Sequence, residues 1–145
     1  MARLALLNIA MGFFLLFLAT IAGIFNAFEL TTAYLNDNSA LGSWLMVLSQ
    51  SSHGHTALFG VVEILVGLTM SYSRFPKIIK ILQSIGLLLG SFAMGPLLLT
   101  RAYLGPSASI SPLGAIIGLC LCCFTLSLLS HSAAIWLRTL ERGYK

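Results

Sequence analysis

Four long apolar runs dominate the chain, and the breaks between them set the reading. The runs at 4–28, 42–73, 77–103 and 113–140 can each cross ~30 Å of hydrocarbon as a helix rising ~1.5 Å per residue. The second exceeds that thickness and must tilt or protrude. Turn chemistry separates them: Asn36-Asp37-Asn38-Ser39 within a loop over 29–41, Arg74-Phe75-Pro76-Lys77, and a Ser-, Pro- and Gly-rich loop over 105–112. The pattern predicts an all-α integral membrane protein, a single domain over 1–145 built as a four-transmembrane-helix bundle.

Composition agrees. Hydrophobic residues make up 58% of the chain and charged residues 8%, with a mean hydropathy of +0.96. Soluble domains carry about 25% charged residues. The net charge of +4 does not point to nucleic acid, because the cations sit at span ends. Arg3, Arg74, Lys77, Lys80, Arg138, Arg142 and Lys145 fall on one side of such a bundle and Arg101 alone on the other. By the positive-inside rule both termini are cytoplasmic. The run at 4–28 is too long for the core of a signal peptide and lacks a cleavage site, so it reads as the first span. The expected setting is a prokaryotic cytoplasmic membrane, with lipid and either other membrane subunits or further copies of the chain as partners.

Small residues mark where helices approach closely. His53, Gly60 and Gly67 recur at heptad spacing, a seam open to another helix or a flat ligand. Gly86 and Gly90 form a GxxxG pair, Gly95-Pro96 predicts a kink, and Gly114, Gly118 and Cys122 repeat every four residues. Asn8 and Asn26 read as polar residues near the ends of the first span. Cys120, Cys122 and Cys123 read as small packing residues; their spacing suits neither a disulfide framework nor a zinc site.

Against this background, Ser49-Gln50-Ser51-Ser52-His53-Gly54-His55-Thr56 stands out. Polar groups at membrane depth are costly because hydrocarbon offers them no partner. His53 and His55, two residues apart on a helix, point roughly 200° from each other. They cannot chelate one ion, which needs i and i+4 spacing, but they can serve two centres on opposite faces. Imidazole is a good axial ligand for heme iron, and a porphyrin is a flat apolar disc that suits a site between helices.

The segment Ser52-His53-Gly54-His55-Thr56-Ala57-Leu58-Phe59-Gly60 resembles the tenth helix of the heme-copper oxidase catalytic subunit, nearest to the nitric oxide reductase branch. The resemblance covers about twenty residues around the His-Gly-His triplet, far less than a catalytic subunit. It implies a high-spin heme on His53, a low-spin heme on His55, and propionates directed outward toward Arg101. Histidines for a second metal centre are missing, since only His131 remains. Oxygen or nitric oxide reduction is therefore not implied. What the resemblance leaves is a small protein binding heme b, acting in electron transfer or as a subunit of a membrane redox complex.

A second ligand for the low-spin site could be His131, although the two histidines could differ in depth by about 10 Å. A tilt or kink, a ligand from another subunit, or a non-histidine ligand would each answer that mismatch. Glu63, eight residues after His55, is expected on the same helix face. It reads equally as a proton-relay carboxylate or as a partner for a polar group on a neighbouring helix. Two readings of another class stay open: an accessory subunit whose polar stretch packs on partner helices, and a small transporter or channel using the same stretch as a path.

Overall fold

The computed structural model describes residues 2–36, 43–107 and 111–142, and every regular element among them is helical. Helix α1 covers Ala2–Leu35, α2 Trp44–Thr69, α3 Lys77–Phe92, a π-helical turn Ala93–Leu97, α4 Leu98–Leu104 and α5 Pro112–Arg142. Because α3, the π turn and α4 are continuous, the chain forms four helical rods. Three contain segments long and apolar enough to cross a membrane: Arg3–Glu29, Lys77–Leu104 and Pro112–Leu140. Large apolar side chains such as Phe13, Phe17, Phe25, Leu119, Leu126 and Leu129 stand exposed on α1 and α5. So much outward apolar surface marks a membrane protein. Helix α2 is long enough, but its polar stretch and Glu63 dilute its apolar character.

Several boundaries differ from those the sequence predicts. The loop expected over 29–41 starts only at Asn36, whose N–H still bonds to the Thr32 carbonyl at 3.2 Å. Glu29 and the threonines after it are polar, but no Gly or Pro breaks the helix there, so α1 runs on to Leu35. Asp37, Asn38, Ser39 and Lys145 lie outside the described residues. At its other end α2 stops at Thr69, four residues earlier than predicted. The kink predicted at Gly95-Pro96 takes the form of the π turn. Pro96 has no N–H to give, and the N–H of Leu98 reaches back five residues to the Ala93 carbonyl.

Neighbouring rods run antiparallel. Helix α1 packs along α2, α5 packs along α3, and α2 against α3 and α4 joins the two pairs. Glycines set how closely each pair approaches. A Cβ on Gly60 would lie 2.8 Å from the Gly12 carbonyl oxygen, and one on Gly67 would lie 2.8 Å from the Ala5 carbonyl oxygen. The heptad seam of His53, Gly60 and Gly67 is thus filled by α1. The GxxxG pair is also used within the chain. Gly86 lies against Ser127 and the Cys123 carbonyl of α5, and Gly90 against the Phe124 ring. That ring stacks on Phe59 of α2 at 4.0 Å, in a core completed by Val66, Met70 and the fully enclosed Leu87. Gly118 meets nothing within 4 Å and Cys122 is exposed, so these two members of the repeat on α5 face away from the chain, whereas Gly114 lies against Arg101.

Two polar residues depart from the sequence reading. Asn8 is fully buried and donates from Nδ2 to Ser84 Oγ at 3.0 Å, so it ties α1 to α3. Lys80, expected among the surface cations, is 4% exposed. Its ammonium donates to the carbonyls of Met70 at 3.0 Å and Ser73 at 2.7 Å, where α2 ends and its last carbonyls need donors.

The seam gives the first prediction. Gly12→Val forces side-chain atoms into the α2 backbone and lowers stability by about 1–3 kcal/mol, whereas Gly118→Val leaves it unchanged. Denaturant unfolding in detergent micelles measures both.

Candidate functional site

We call the bundle end that holds Asn26, Ser49 and Arg101 the upper end, and the end that holds Arg3, Lys80 and Arg138 the lower. Near the upper end, α1, the start of α2 and the π turn with α4 border a half-open cavity of about 730 Å³. Pro96 helps to shape it by sitting on its wall within the π turn. Leu18, Phe25, Leu45 and Leu99 give the wall its apolar character, and Asn26, Ser49, Ser52, His53 and Thr56 supply polar points. The volume lies in the range of small-molecule sites, ~300–1,000 Å³.

The polar stretch of α2 builds one side of this cavity, and its groups are mostly paired. Ser49 Oγ donates to Asn26 Oδ1 at 2.8 Å. Ser52 Oγ donates to the Gly95 carbonyl at 2.8 Å, and Thr56 Oγ1 to the Ser52 carbonyl at 2.7 Å. Asn26 is therefore a partner of the stretch and not merely an end-of-span polar group.

His53 packs against Gly23 of α1, where a Cβ would come within 2.8 Å of its Cε1. Its Nδ1 is 2.8 Å from the Ala19 carbonyl oxygen. A carbonyl only accepts, so Nδ1 carries the proton and Nε2 keeps its lone pair. His55 shows the same tautomer, with Nδ1 2.8 Å from the Ser51 carbonyl oxygen of its own helix and its ring edge-on to Phe59 at 6.0 Å. His53 lines the cavity and His55 does not.

The other predicted site residues lie elsewhere. Arg101 bonds to Ser111 Oγ, the residue that also accepts the Gly114 N–H at the start of α5. Its guanidinium sits 5.5 Å from the Trp44 ring, and its carbonyl accepts from Trp44 Nε1 at 3.3 Å. Arg101 thus pins the upper ends of α2, α4 and α5 and stays off the cavity wall. That wall carries one acid, Glu29, and no Lys or Arg.

His131 is buried near the lower end, with Nε2 2.9 Å from Thr69 Oγ1. Thr69 gives its own proton to the Leu65 carbonyl at 2.6 Å, so Nε2 donates, and the buried Nδ1 has no partner. Thr69 is fourteen residues beyond His55 on α2, about 21 Å along the helix at ~1.5 Å per residue. His131 and His55 are not brought to one site.

Glu63 is fully buried, and neither carboxyl oxygen has a hydrogen-bond partner. It does not share the half-buried position of His55. Eight residues turn a helix by about 800°, which leaves the two side chains roughly 80° apart. Among the described residues no group of three or more His, Cys, Asp or Glu could hold a metal ion, and Cys120, Cys122 and Cys123 are free thiols.

Sequence reasoning missed the burial of Asn8, Lys80 and Gln83, and of Ser73, Ser84, Ser91 and Ser127. Gln83 Nε2 donates to Ser130 Oγ at 2.7 Å. The available signal was the spacing of Lys80, Ser84, Ser91 and Gly95, which places them along one face of the third rod. Comparison with protein-family models, curated proteins and solved structures finds no match. The resemblance at 52–60 therefore stands on those residues alone.

The unequal surroundings of the two histidines give the second prediction. His53→Ala removes an interhelical hydrogen bond and a ring packed on Gly23, costing about 1–3 kcal/mol. His55→Ala, whose bond is within its own helix, costs less than about 1 kcal/mol. Thermal unfolding of the two variants in detergent compares them.

Proposed function

We propose that the protein is a small heme-b-binding protein of a prokaryotic cytoplasmic membrane, with His53 as the axial ligand in the upper cavity. One observation carries the reading. His53 donates Nδ1–H to a backbone carbonyl, which leaves an unprotonated Nε2 on a residue that lines an apolar cavity of about 730 Å³. Heme-ligating histidines commonly have this arrangement, in which the second-shell carbonyl fixes the tautomer and strengthens the donor nitrogen.

The surroundings narrow the proposal to one heme. The cavity is lined by one histidine, and His131 lies near the other end of α2, so a second histidine is not at hand, although Met46 and Tyr103 also line the cavity. His53 would hold that heme, in the high-spin role that the resemblance implies for it. His55, for which the resemblance implies the low-spin role, does not line this cavity. Heme supplies one-electron chemistry and an open position for a small gas, and the chain supplies the ligand, the apolar wall and the exclusion of water. Among the described residues the wall carries no Lys or Arg, and Arg101 is engaged by Ser111, so the propionate role that the resemblance implies for Arg101 would require it to leave that partner.

Two further proposals concern placement. Helix α2 joins the three apolar rods as a fourth span, because Ser49, Ser52 and His53 face α1 and the π turn rather than lipid, and Gln50 is the one exposed polar side chain of the stretch. The lower end, with Arg3, Arg74, Lys77, Lys80 and Arg138, faces the cytoplasm. The expected partners are lipid and other subunits of a membrane redox complex, or further copies of the chain.

Reconstitution with hemin tests the reading. Wild type and His55→Ala should give the same Soret band, with a reduced spectrum that shifts on adding carbon monoxide. His53→Ala should bind no heme while remaining folded. A colourless wild type, or a His53→Ala variant with the wild-type spectrum, contradicts it.

A further inference from the structure

Glu63 is the least explained group in the molecule. Its side chain is wholly enclosed, and no donor reaches either oxygen. An ionised carboxylate in such a place, with neither cation nor hydrogen bond, costs several kcal/mol. Evolutionarily cheaper residues of the same volume, such as Leu or Met, would pack there without that cost.

Glu63 also sits midway along a column of buried polar groups. At the lower end Lys80 bonds to the Met70 and Ser73 carbonyls. Ser84, one turn up on α3, gives its proton to the Lys80 carbonyl at 3.0 Å and accepts from Asn8 Nδ2 at 3.0 Å. Asn8 Oδ1 is buried and, like the carboxyl, has no partner. Above them is Ser91, 1% exposed, whose hydroxyl is near enough to interact with the Glu63 carboxyl but donates to the Leu87 carbonyl at 3.0 Å. One turn above Ser91 is Gly95, whose carbonyl accepts from Ser52, and Gly95, Ser52 and Thr56 all line the upper cavity.

Lys80, Ser84, Ser91 and Gly95 lie at spacings of four, seven and four on one face of the third rod. Polar groups therefore recur from the lower end to the cavity floor, and Glu63 is the sole carboxyl among them. The other titratable side chains on the packed elements include His53 and His55 on α2, Lys80 on α3, and His131 and Cys123 on α5, with Lys77, Arg101, Tyr103, Arg138 and Glu141 nearer the ends of their rods. On α1 the acid Glu29 and the base Arg3 lie near its two ends.

We propose that Glu63 is a proton-carrying site that relays protons between the lower end of the bundle and the upper cavity. The carboxyl holds a proton in the conformation described here. It passes that proton upward past Ser91 to water in the cavity and is reprotonated from below by water admitted alongside Asn8 and Ser84. One O–H bond breaks and one forms, and the net change is one proton moved. The relay does not depend on what the cavity holds, so it stands or falls apart from the heme reading.

Two measurements on heme-free protein test it. In phosphatidylcholine vesicles with a potassium diffusion potential set by valinomycin, the wild type should move protons faster than protein-free vesicles. Glu63→Gln should fall to the protein-free rate, and Glu63→Asp should retain part of the flux. Infrared spectra of the wild type should show the C=O stretch of a protonated carboxylic acid that shifts on transfer to D₂O. Wild-type flux equal to protein-free vesicles overturns the proposal. So does an unchanged rate in Glu63→Gln, or a flux that requires sodium. If Glu63→Gln fails to fold, the wild-type spectrum decides: a missing carboxylic-acid band, or one that does not shift in D₂O, overturns the relay.

Discussion

At Gly12 and Gly60 the backbones of α1 and α2 come into contact, each glycine lying where a side chain on the other would strike a carbonyl. The rest of the arrangement depends on this approach. Helix α2 carries seven polar side chains within eight consecutive residues, and an isolated helix has no means of hiding them from hydrocarbon. With α1 this close, the Ala19 carbonyl reaches His53 and Asn26 reaches Ser49. Without the glycines, both bonds would stretch beyond use and the polar stretch would face lipid.

The second pair of rods follows the same logic with different chemistry. Gly86 and Gly90 bring α5 onto α3, and the Phe59–Phe124 stack then links the two pairs through the middle. The π turn contributes what a regular helix could not. By absorbing Pro96 it places the Gly95 carbonyl against Ser52, and Gly95 and Pro96 become part of the cavity wall. At the two ends, cations hold helix termini. Arg101 joins Trp44 to Ser111 at the top, while Lys80 and Arg138 take carbonyls released where α2 ends, at Met70, Ser71, Tyr72 and Ser73.

Much of this was legible in the sequence, because apolar runs and helix-breaking turns reflect local chemistry. The four rods, the special turn at Pro96 and the divergence of His53 from His55 all follow from residue spacing. What sequence could not supply was the identity of each partner. A GxxxG pair announces close packing and not whether the neighbour is another copy or, as here, α5. Asn8 and Lys80 sit near span ends by number, and only the antiparallel register shows that Ser84 and the end of α2 lie opposite them. The depth of His131 pointed the right way, since a mismatch with His55 was visible from helix rise alone.

Helix α2 has to cross the membrane with most of its polar side chains turned inward, although by hydropathy it is the least suited of the four rods to do so. Single cysteines at Asn36 and Ser71, introduced into a chain with Cys120, Cys122 and Cys123 replaced by alanine, place its two ends directly. In oriented membranes a membrane-impermeant maleimide should label position 36 only from the outer side and position 71 only from the cytoplasmic side. Labelling of both from the same side would contradict a spanning α2, and the cavity and the polar column would then need another explanation.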